Sequence, residues 1–358
     1  MASTQSTGLQ EARPAIVVGG QENPALGAGL LNLLIVENTN GLYRCEARFG
    51  NWGVVNNTID FLYFDRRTLD FGKNLQIKIG SDTIFDGKIM GLEAQFPSGA
   101  PPQMTVLAED RFQDLRMTRR TRTFADDVSD ADVLKQVAQD HGLTPDVDVT
   151  GPTYKVLAQV NQSDLAFLRE RARSIDAELW MDGQTLHAKS RSTRNEGTLK
   201  ISHGNQLREF FVCADLSMQR TSVCVNGWDV SSKSGLQYEA TDSVISSELN
   251  GDTSGISILN SAFGSRKEAL AHTIPLNSQE AQAEAEAFLK MSARRFLVGR
   301  GVTETNASLR VGTYVDLQGL GALFSGKYYV AEVVHLFDSA KGIRTEFRAE
   351  RPGIGRAQ

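Results

Sequence analysis

Alternating apolar and polar positions, the pattern of a strand with one buried face, dominate both ends of the chain. Residues 75–79 alternate cleanly, and residues 31–36 and 42–49 form β-type runs separated by the turn-forming composition of residues 38–41. Strand-like runs return from about residue 198. The pattern predicts a mainly β protein whose middle differs from its two ends.

The middle of the chain mixes helical and strand patterns. Residues 129–132 have capping-box form ahead of an apolar stripe, which predicts a helix that ends at Gly142. A second helix is predicted over residues 163–175. Asp182-Gly183 between two strand-like runs predicts a hairpin, because glycine tolerates the positive φ of a tight turn.

These patterns divide the chain into five segments. We predict a flexible N-terminal segment (1–29), a first β-domain (30–110), an α/β helix–hairpin insert (111–196), a second β-domain with one helix (197–352) and a tail (353–358). The one helix of the second β-domain is predicted to begin near Asn277 and to end at Gly299.

The two β-rich ends share an order of elements. Phe-Asp-Gly-Lys at 85–88 and Phe-Ser-Gly-Lys at 324–327 each follow one strand-like run and precede two more. This shared order predicts a duplicated β-domain. Three such chains in a ring would display six β-domains, which would match a six-fold partner on one face and a three-fold partner on the other.

Charge and hydropathy exclude two classes of protein. The net charge is -5, with 38 basic against 43 acidic residues, which argues against sequence recognition of nucleic acid. The basic cluster at 116–122 is interpreted as a solvated face or a subunit contact. The richest apolar run, residues 30–36, is far too short to cross a bilayer, so no membrane span is predicted.

Candidate chemistry is sparse. The histidines lack metal-like spacing, and the three cysteines (Cys45, Cys213 and Cys224) are interpreted as packed free thiols of a reducing cytoplasm, so we predict neither metal nor cofactor. The adjacent acids at 109–110 and 126–127 are unlike the acid pair of a glycosidase, whose members lie far apart in sequence. We predict no catalytic residue and no enzymatic activity.

Several stretches carry a family resemblance. Residues 161–172 (Asn-Gln-Ser-Asp-Leu-Ala-Phe-Leu-Arg-Glu-Arg-Ala), followed by a hairpin that ends in Thr-Leu-His at 185–187, resemble the phage late control protein D family. Residues 85–89, 137–143 and 324–330 agree with the same family. That family is similar to the hub portion of VgrG proteins of type VI secretion.

The resemblance implies a fold and a role. The implied fold is mainly β, with two tube-protein-like β-barrel domains flanking a small helix–hairpin α/β domain. The implied role is a homotrimeric hub, in the baseplate of a contractile phage tail or injection particle, that joins the hexameric ring of the tail tube protein to a trimeric spike. Because the chain stops at Gln358, we expect the spike to be a separate protein; baseplate wedge or tape-measure proteins are further expected partners, with assembly in the host bacterial cytoplasm.

Ring contacts are expected from barrel edges and loops. The candidate interface residues are Gly319, Gly321, Phe324, Gly326, Phe85 and Gly87. Two alternatives stay open: a cell-wall (peptidoglycan) hydrolase, or a glycan-binding module of a tail baseplate that would present Trp180 in an aromatic groove. We expect Trp180 to be buried in the hairpin core instead.

Overall fold

The computed structural model describes residues 13–229 and 232–356 of the 358-residue chain. Up to residue 110 the strands are β1 (Ala15–Val18), β2 (Gln21–Glu22), β3 (Leu30–Asn38), β4 (Arg44–Gly50), β5 (Gly53–Val55), β6 (Thr58–Asp60), β7 (Asn74–Ile79), β8 (Asp82–Gln95) and β9 (Gln103–Glu109). The middle contains β10 (Arg119–Ser129), β11 (Thr144–Asp148), β12 (Thr153–Ser163), β13 (Ala177–Asp182) and β14 (Thr185–Ser190).

The remaining strands are β15 (Thr198–Ser202), β16 (Leu207–Ala214), β17 (Ser222–Asp229), β18 (Ser234–Thr241), β19 (Thr253–Ser254), β20 (Lys267–Leu270), β21 (Leu297–Glu304), β22 (Tyr314–Gln318), β23 (Gly326–Asp338), β24 (Gly342–Arg351) and β25 (Gly353–Ile354). The helices are α1 (Pro24–Gly29), α2 (Gln113–Arg116), α3 (Asp130–Asp140), α4 (Asp164–Ser174), α5 (Gly255–Phe263), α6 (Ser278–Ala293), α7 (Gly321–Phe324) and a 3-10 helix (Asp242–Glu248).

Side-chain caps start the long helices where the sequence predicts them. The Ser129 hydroxyl accepts the Asp132 N–H at 3.2 Å, and the Asp132 carboxylate accepts the Ser129 N–H at 3.0 Å, which completes the predicted capping box of α3. A side-chain cap alone starts the other two: the Ser163 hydroxyl accepts the Ala166 N–H in α4, and the Asn277 side chain accepts the Glu280 N–H in α6. The predicted hairpin is present, although its loop is Gly183-Gln184, because Asp182 already pairs with Thr185.

Both ends of the chain contribute to one 13-stranded sheet, within the residues that the structure describes. The strand order is β16-β21-β24-β23-β3-β4-β9-β8-β7-β1-β2, and β22 and β15 extend from β23. The predicted strand-rich ends are therefore confirmed. The sequence did not predict that they are joined directly, through antiparallel pairing of β3 with β23.

The strand order of the sheet is repeated. We name β3, β4, β9, β8 and β7 the first half-sheet, and β16, β21, β24, β23 and β22 the second half-sheet. The chain visits corresponding strands in the same sequence, and all neighbouring pairs are antiparallel. The strand order thus agrees with the predicted duplication.

Two β-bulges of each half-sheet coincide, whereas a third in the first half-sheet, between Ile77 and Lys78 on β7, has no counterpart on β22. Register shifts occur at corresponding places, between Leu30 and Asn32 on β3, Leu207 and Glu209 on β16, Ile89 and Gly91 on β8, and Val330 and Glu332 on β23. Because a bulge redirects a strand, shared bulges fix which residues correspond. This correspondence aligns Gly87 with Tyr328 rather than with Gly326. The two Phe-x-Gly-Lys sequences that suggested the repeat are therefore two residues out of register.

The connection after the first strand differs most between the half-sheets. A turn at residues 39–43 joins β3 to β4, whereas residues 215–296 lie between β16 and β21. Those residues form a three-stranded sheet of β17, β18 and β20 that α6 covers, with its own core, which includes Val223, Ile256 and Ala281. The prediction of one helix in residues 197–352 is wrong, because α5, α7 and the 3-10 helix accompany α6. Gly299 lies in β21, and α6 already ends at Ala293.

The predicted flexible segment and C-terminal tail need correction. Strand β1 pairs with β7, and Ile16 and Leu26 are buried in the core of the first half-sheet, so residues 15–29 belong to that core rather than to a loose tail. At the other end, Gly353–Ile354 pairs with β19. The rest of these predictions falls on residues 1–12 and 357–358, which lie outside the described part of the chain.

Residues 111–196 fold around a core of their own. Helices α3 and α4 pack with the β10–β12 ladder and the three-stranded sheet β11-β14-β13. Phe112, Leu134 and Leu168 are fully buried there. We call this unit the insert.

Candidate interaction surfaces

The two half-sheets are joined by antiparallel pairing of two strands, which we call the junction. The second part of β23, from Glu332 to Asp338, pairs with β3. Phe337 lies opposite Leu33 and is only 3% exposed, because it packs into the core of the first half-sheet. A side chain from the second half-sheet therefore completes the core of the first.

A buried histidine lies in this junction. The His335 ring is fully buried and contacts the Thr345 hydroxyl at 3.0 Å through Nδ1. Burial, and secondarily the nearby Arg310 guanidinium, lower the pKa of His335 to about 3. The ring is therefore neutral in the folded protein over the whole physiological range.

Besides β2 and β15, which each pair on one side only, two further strand edges of the sheet are open among the described residues. Strand β7 ends its pairing with β8 at Lys88, so the stretch from Gly91 to Gln95 pairs with β9 on one side and with no described strand on the other. Strand β16 pairs with β21 and ends the strand order at the opposite side. Phe96, next to the first edge, is 66% exposed, and Phe211, on the second, is 69% exposed. Unpaired edges with exposed aromatic side chains are candidate sites for strand addition.

The sheet face opposite the two cores carries charges of both signs. On β4, Arg44, Glu46 and Arg48 alternate with buried residues. On β24, Arg344 and Glu346 also alternate with buried residues and form an ion pair with an N–O distance of 3.4 Å. This mixed, solvated face runs across both half-sheets.

Buried arginines attach the insert to the second half-sheet. The Arg194 guanidinium is 2% exposed in its side chain, donates to Glu178 at 3.0 Å and to the Val311 carbonyl at 2.9 Å, and stacks 3.9 Å from the Trp180 ring centre. The Tyr329 hydroxyl, on β23, also donates to Glu178. One guanidinium thus connects the insert hairpin to the loop before β22.

A second buried pair strengthens the same attachment. Arg191 donates to Glu350 on β24 at 2.5 Å. Burial alone would raise the pKa of Glu350, but the guanidinium groups of Arg191 and Arg348 outweigh it and hold the pKa at about 2. Arg294, at the end of α6, pairs with Asp176 of the insert and with Glu248. The insert is therefore held by several paired charges that are shielded from water.

The candidate interface residues of the sequence analysis fall into two groups. Gly319, Gly321, Phe324 and Gly326 lie in or beside α7, between β22 and β23. Phe85, in contrast, is 3% exposed in the core of the first half-sheet. A Cβ atom on Gly87 would lie 2.3 Å from the Glu109 carbonyl oxygen, so the close approach of the β8 and β9 backbones requires glycine at this position. The structure does not bring the two groups together, and the interface role of the first group stays a prediction.

Other predicted residues have structural partners. Asp110 accepts the backbone N–H groups of Tyr43 and Phe112, and its burial raises its pKa to about 7. Trp180 is 8% exposed, so its predicted burial is confirmed, but it packs in the core of the first half-sheet rather than in a hairpin core. Cys45 is buried, but Cys213 is exposed on β16, which contradicts the prediction of packed thiols.

Metal-binding clusters and membrane-spanning helices are both absent from the described residues. Across 13–229 and 232–356, no group of three or more His, Cys, Asp or Glu side chains could hold a metal ion. The helices described here are all too short or too polar to span a bilayer.

Comparison with family models gives one match that covers most of the chain. Residues 53–338 match the model of the Alg8 N-terminal domain. The chain belongs to this family. The name of the Alg8 N-terminal domain family states no reaction, ligand or partner, and it is not the late control protein D family of the predicted resemblance. No curated protein matches the chain.

Solved structures share the fold at low sequence identity. A 43 kDa tail protein of prophage MuSo2 from Shewanella oneidensis matches with a TM-score of 0.71 and 12% identity, over 95% of this chain and 98% of that chain. The tail protein from Neisseria meningitidis MC58 matches with a TM-score of 0.68 and 13% identity, over 96% and 97%. The E. coli c3393 protein, a component of the type VI secretion system, matches with a TM-score of 0.56 and 12% identity, over 96% and 79%. The chain therefore has the fold of these tail proteins.

Sequence reasoning missed the junction and the buried arginines. The signal for the junction was available, because residues 30–36 and 333–337 are both unusually apolar for strands with one solvated face. Arg194 and Arg294 gave no such signal, since a buried arginine resembles an exposed one in sequence.

Proposed function

We propose that the chain is a non-enzymatic structural subunit of a contractile phage tail or a related injection particle. In this proposal three copies form a hub ring in the baseplate, each half-sheet curls into a tube-like barrel, and the ring joins the hexameric tail tube to a separate trimeric spike. The proposal is supported above all by the repeated half-sheet, because two copies per chain allow three chains to present six similar units.

Further observations support a structural role. Each half-sheet has a mixed-charge face that would suit a solvated lumen, and the insert is rigidly attached through buried ion pairs. The fold is shared with tail proteins and with a type VI secretion component. The late control protein D resemblance fits the same role.

The hydrolase and glycan-binding alternatives have less support. Glu109 is paired with Arg116 at 2.5 Å, and Asp110 is buried beneath two backbone N–H groups, so these acids serve the fold. Trp180 is stacked between His187 and Arg194 rather than exposed in a groove.

The mass of the purified chain in solution tests the hub. We expect a species of three times the mass of one chain, alone or with the co-expressed spike protein, by light scattering after size-exclusion chromatography. A strict monomer in both states would contradict the proposal. Clearing of purified peptidoglycan by the chain, lost on replacement of a single acid, would instead favour the hydrolase.

A further inference from the structure

Corresponding positions in the two half-sheets have very different exposure. The shared bulges align Gly91 on β8 with Glu332 on β23, which places Phe96 in correspondence with Phe337. Phe337 is 3% exposed because β3 pairs alongside it, whereas Phe96 is 66% exposed beside an open edge. The same aromatic residue is buried in one half-sheet and uncovered in the other.

The missing neighbour of Phe96 can be identified from the same correspondence. The partner of β23 at the junction is β3, and the bulges align β3 with β16, so that Asn32 corresponds to Glu209. Strand β16 has an open edge as well. The chain therefore carries both halves of a second junction, one in each half-sheet.

We propose that these two edges pair between copies of the chain. The Gly91–Gln95 stretch of one copy adds antiparallel to β16 of the next, in the register of the internal junction. This inference rests on the proposed ring and specifies how its subunits meet. The contact is head-to-tail, so it closes into a ring when the rotation between copies allows.

The register predicts individual neighbours across the contact. In the internal junction Val334 faces Val36, Leu336 faces Leu34, and Phe337 faces Leu33. Transferred to the open edges, the corresponding pairs are Glu93 with Cys213, Gln95 with Phe211, and Phe96 with Phe210. Phe96 would thereby enter the core of the second half-sheet, against which Phe210 already packs.

Aromatic packing prepares Phe96 for this role. Its ring lies 6.2 Å from that of Phe61 and 5.6 Å from that of Phe64, so it is held beside the edge rather than free. Pro97 follows and lacks an N–H, which would end the added ladder after Phe96. Both features favour a short, defined strand addition over open-ended aggregation.

A single substitution can test the register, because β16 already carries the exposed thiol of Cys213. In a Cys224→Ser background, we expect Glu93→Cys to link neighbouring copies covalently on mild oxidation or with a short bismaleimide. Multimers should appear on a denaturing gel, and those formed by oxidation should vanish on reduction. Cross-strand neighbours have Cβ atoms about 5 Å apart, within reach of both reagents.

Matched controls separate the register from chance contact. Glu93→Cys with Cys213→Ser should give no multimers, and Leu92→Cys, on the opposite face of β8, should give at least tenfold fewer. Phe96→Asp should abolish the trimer and leave the far-UV spectrum unchanged, because Phe96 is largely exposed within one chain. A trimer that cross-links no better through Glu93→Cys than through Leu92→Cys overturns the strand pairing and leaves the ring standing. A monomer without any cross-link overturns both.

Discussion

The attachment of the insert depends on Arg194. Its guanidinium group satisfies Glu178 and the Val311 carbonyl and covers Trp180, all in a region shielded from water. Arg194→Met keeps most of the apolar stem and removes the charge. Glu178 would then be left buried, with the Tyr329 hydroxyl as its nearest donor and with Arg191 Nε 3.7 Å away.

The expected loss of stability follows from the Glu178 charge that would be left buried without its main partner. Removing one partner of a buried ion pair destabilises a protein by about 3–5 kcal/mol, because the other charge stays buried without compensation. We expect a loss of this size in the free energy of unfolding for Arg194→Met. Arg208→Met is the matched control, since the Arg208–Glu304 pair is more than half exposed on both sides and should change stability by less than about 1 kcal/mol.

Urea unfolding followed by tryptophan fluorescence and by far-UV circular dichroism measures the loss. Trp180 reports on the insert because it is stacked against Arg194. Adding Glu178→Gln to Arg194→Met should recover part of the loss, since the second change removes the unpaired charge. Equal stability of Arg194→Met and Arg208→Met would refute the view that this pair holds the insert in place.

Three further changes test the junction, the close packing and the helix cap. The folded-state pKa of His335 is about 3, below the unfolded value of about 6.5, so the unfolded chain binds more protons between these two values. Stability therefore falls as the pH drops through this window, by about 1.4 kcal/mol per pH unit. His335→Gln should reduce the difference between the urea midpoints at about pH 7 and about pH 5, and an unchanged difference would contradict this role of His335. A Cβ on Gly299 would lie 2.2 Å from the Phe210 ring, so Gly299→Val should destabilise the protein by about 1–3 kcal/mol and lower its thermal midpoint. Phe210→Leu should partly restore the midpoint, and an unchanged midpoint in Gly299→Val would contradict the close packing. Ser129→Ala should lower the free energy of unfolding in urea by about 1 kcal/mol, because the α3 cap is lost. Ser129→Asp should keep most of that stability, because aspartate also caps helices.

Local signals in the sequence predicted local structure well. Ser129, Ser163 and Asn277 mark helix starts because a side-chain cap needs only residues three apart. Helix ends were less reliable, since Gly299 proved to lie in a strand, where Phe210 leaves no room for a side chain. Glycine that permits a close approach and glycine that ends a helix look the same in sequence.

The candidate interaction surfaces were only partly predictable. The repeat was detected through Phe-x-Gly-Lys sequences that the bulges place out of register. Phe85 was assigned to an interface and lies in the core, while Phe96 and Phe211 were not singled out. Exposure of an apolar residue depends on which strand lies beside it, and that is decided by pairing between distant segments.

The sequence by itself determined a strand-rich chain with a helical insert, capped helices and a repeated order of elements, because alternation, caps and turns act over a few residues. Only the tertiary structure decided that β3 and β23 join the two half-sheets, that Arg194 is buried against the Val311 carbonyl, and that the Gly91–Gln95 stretch and β16 keep an open edge. These features depend on contacts between residues more than a hundred positions apart or on the absence of such contacts. Pairing at that distance is selected by the packing of the whole chain rather than by any local pattern.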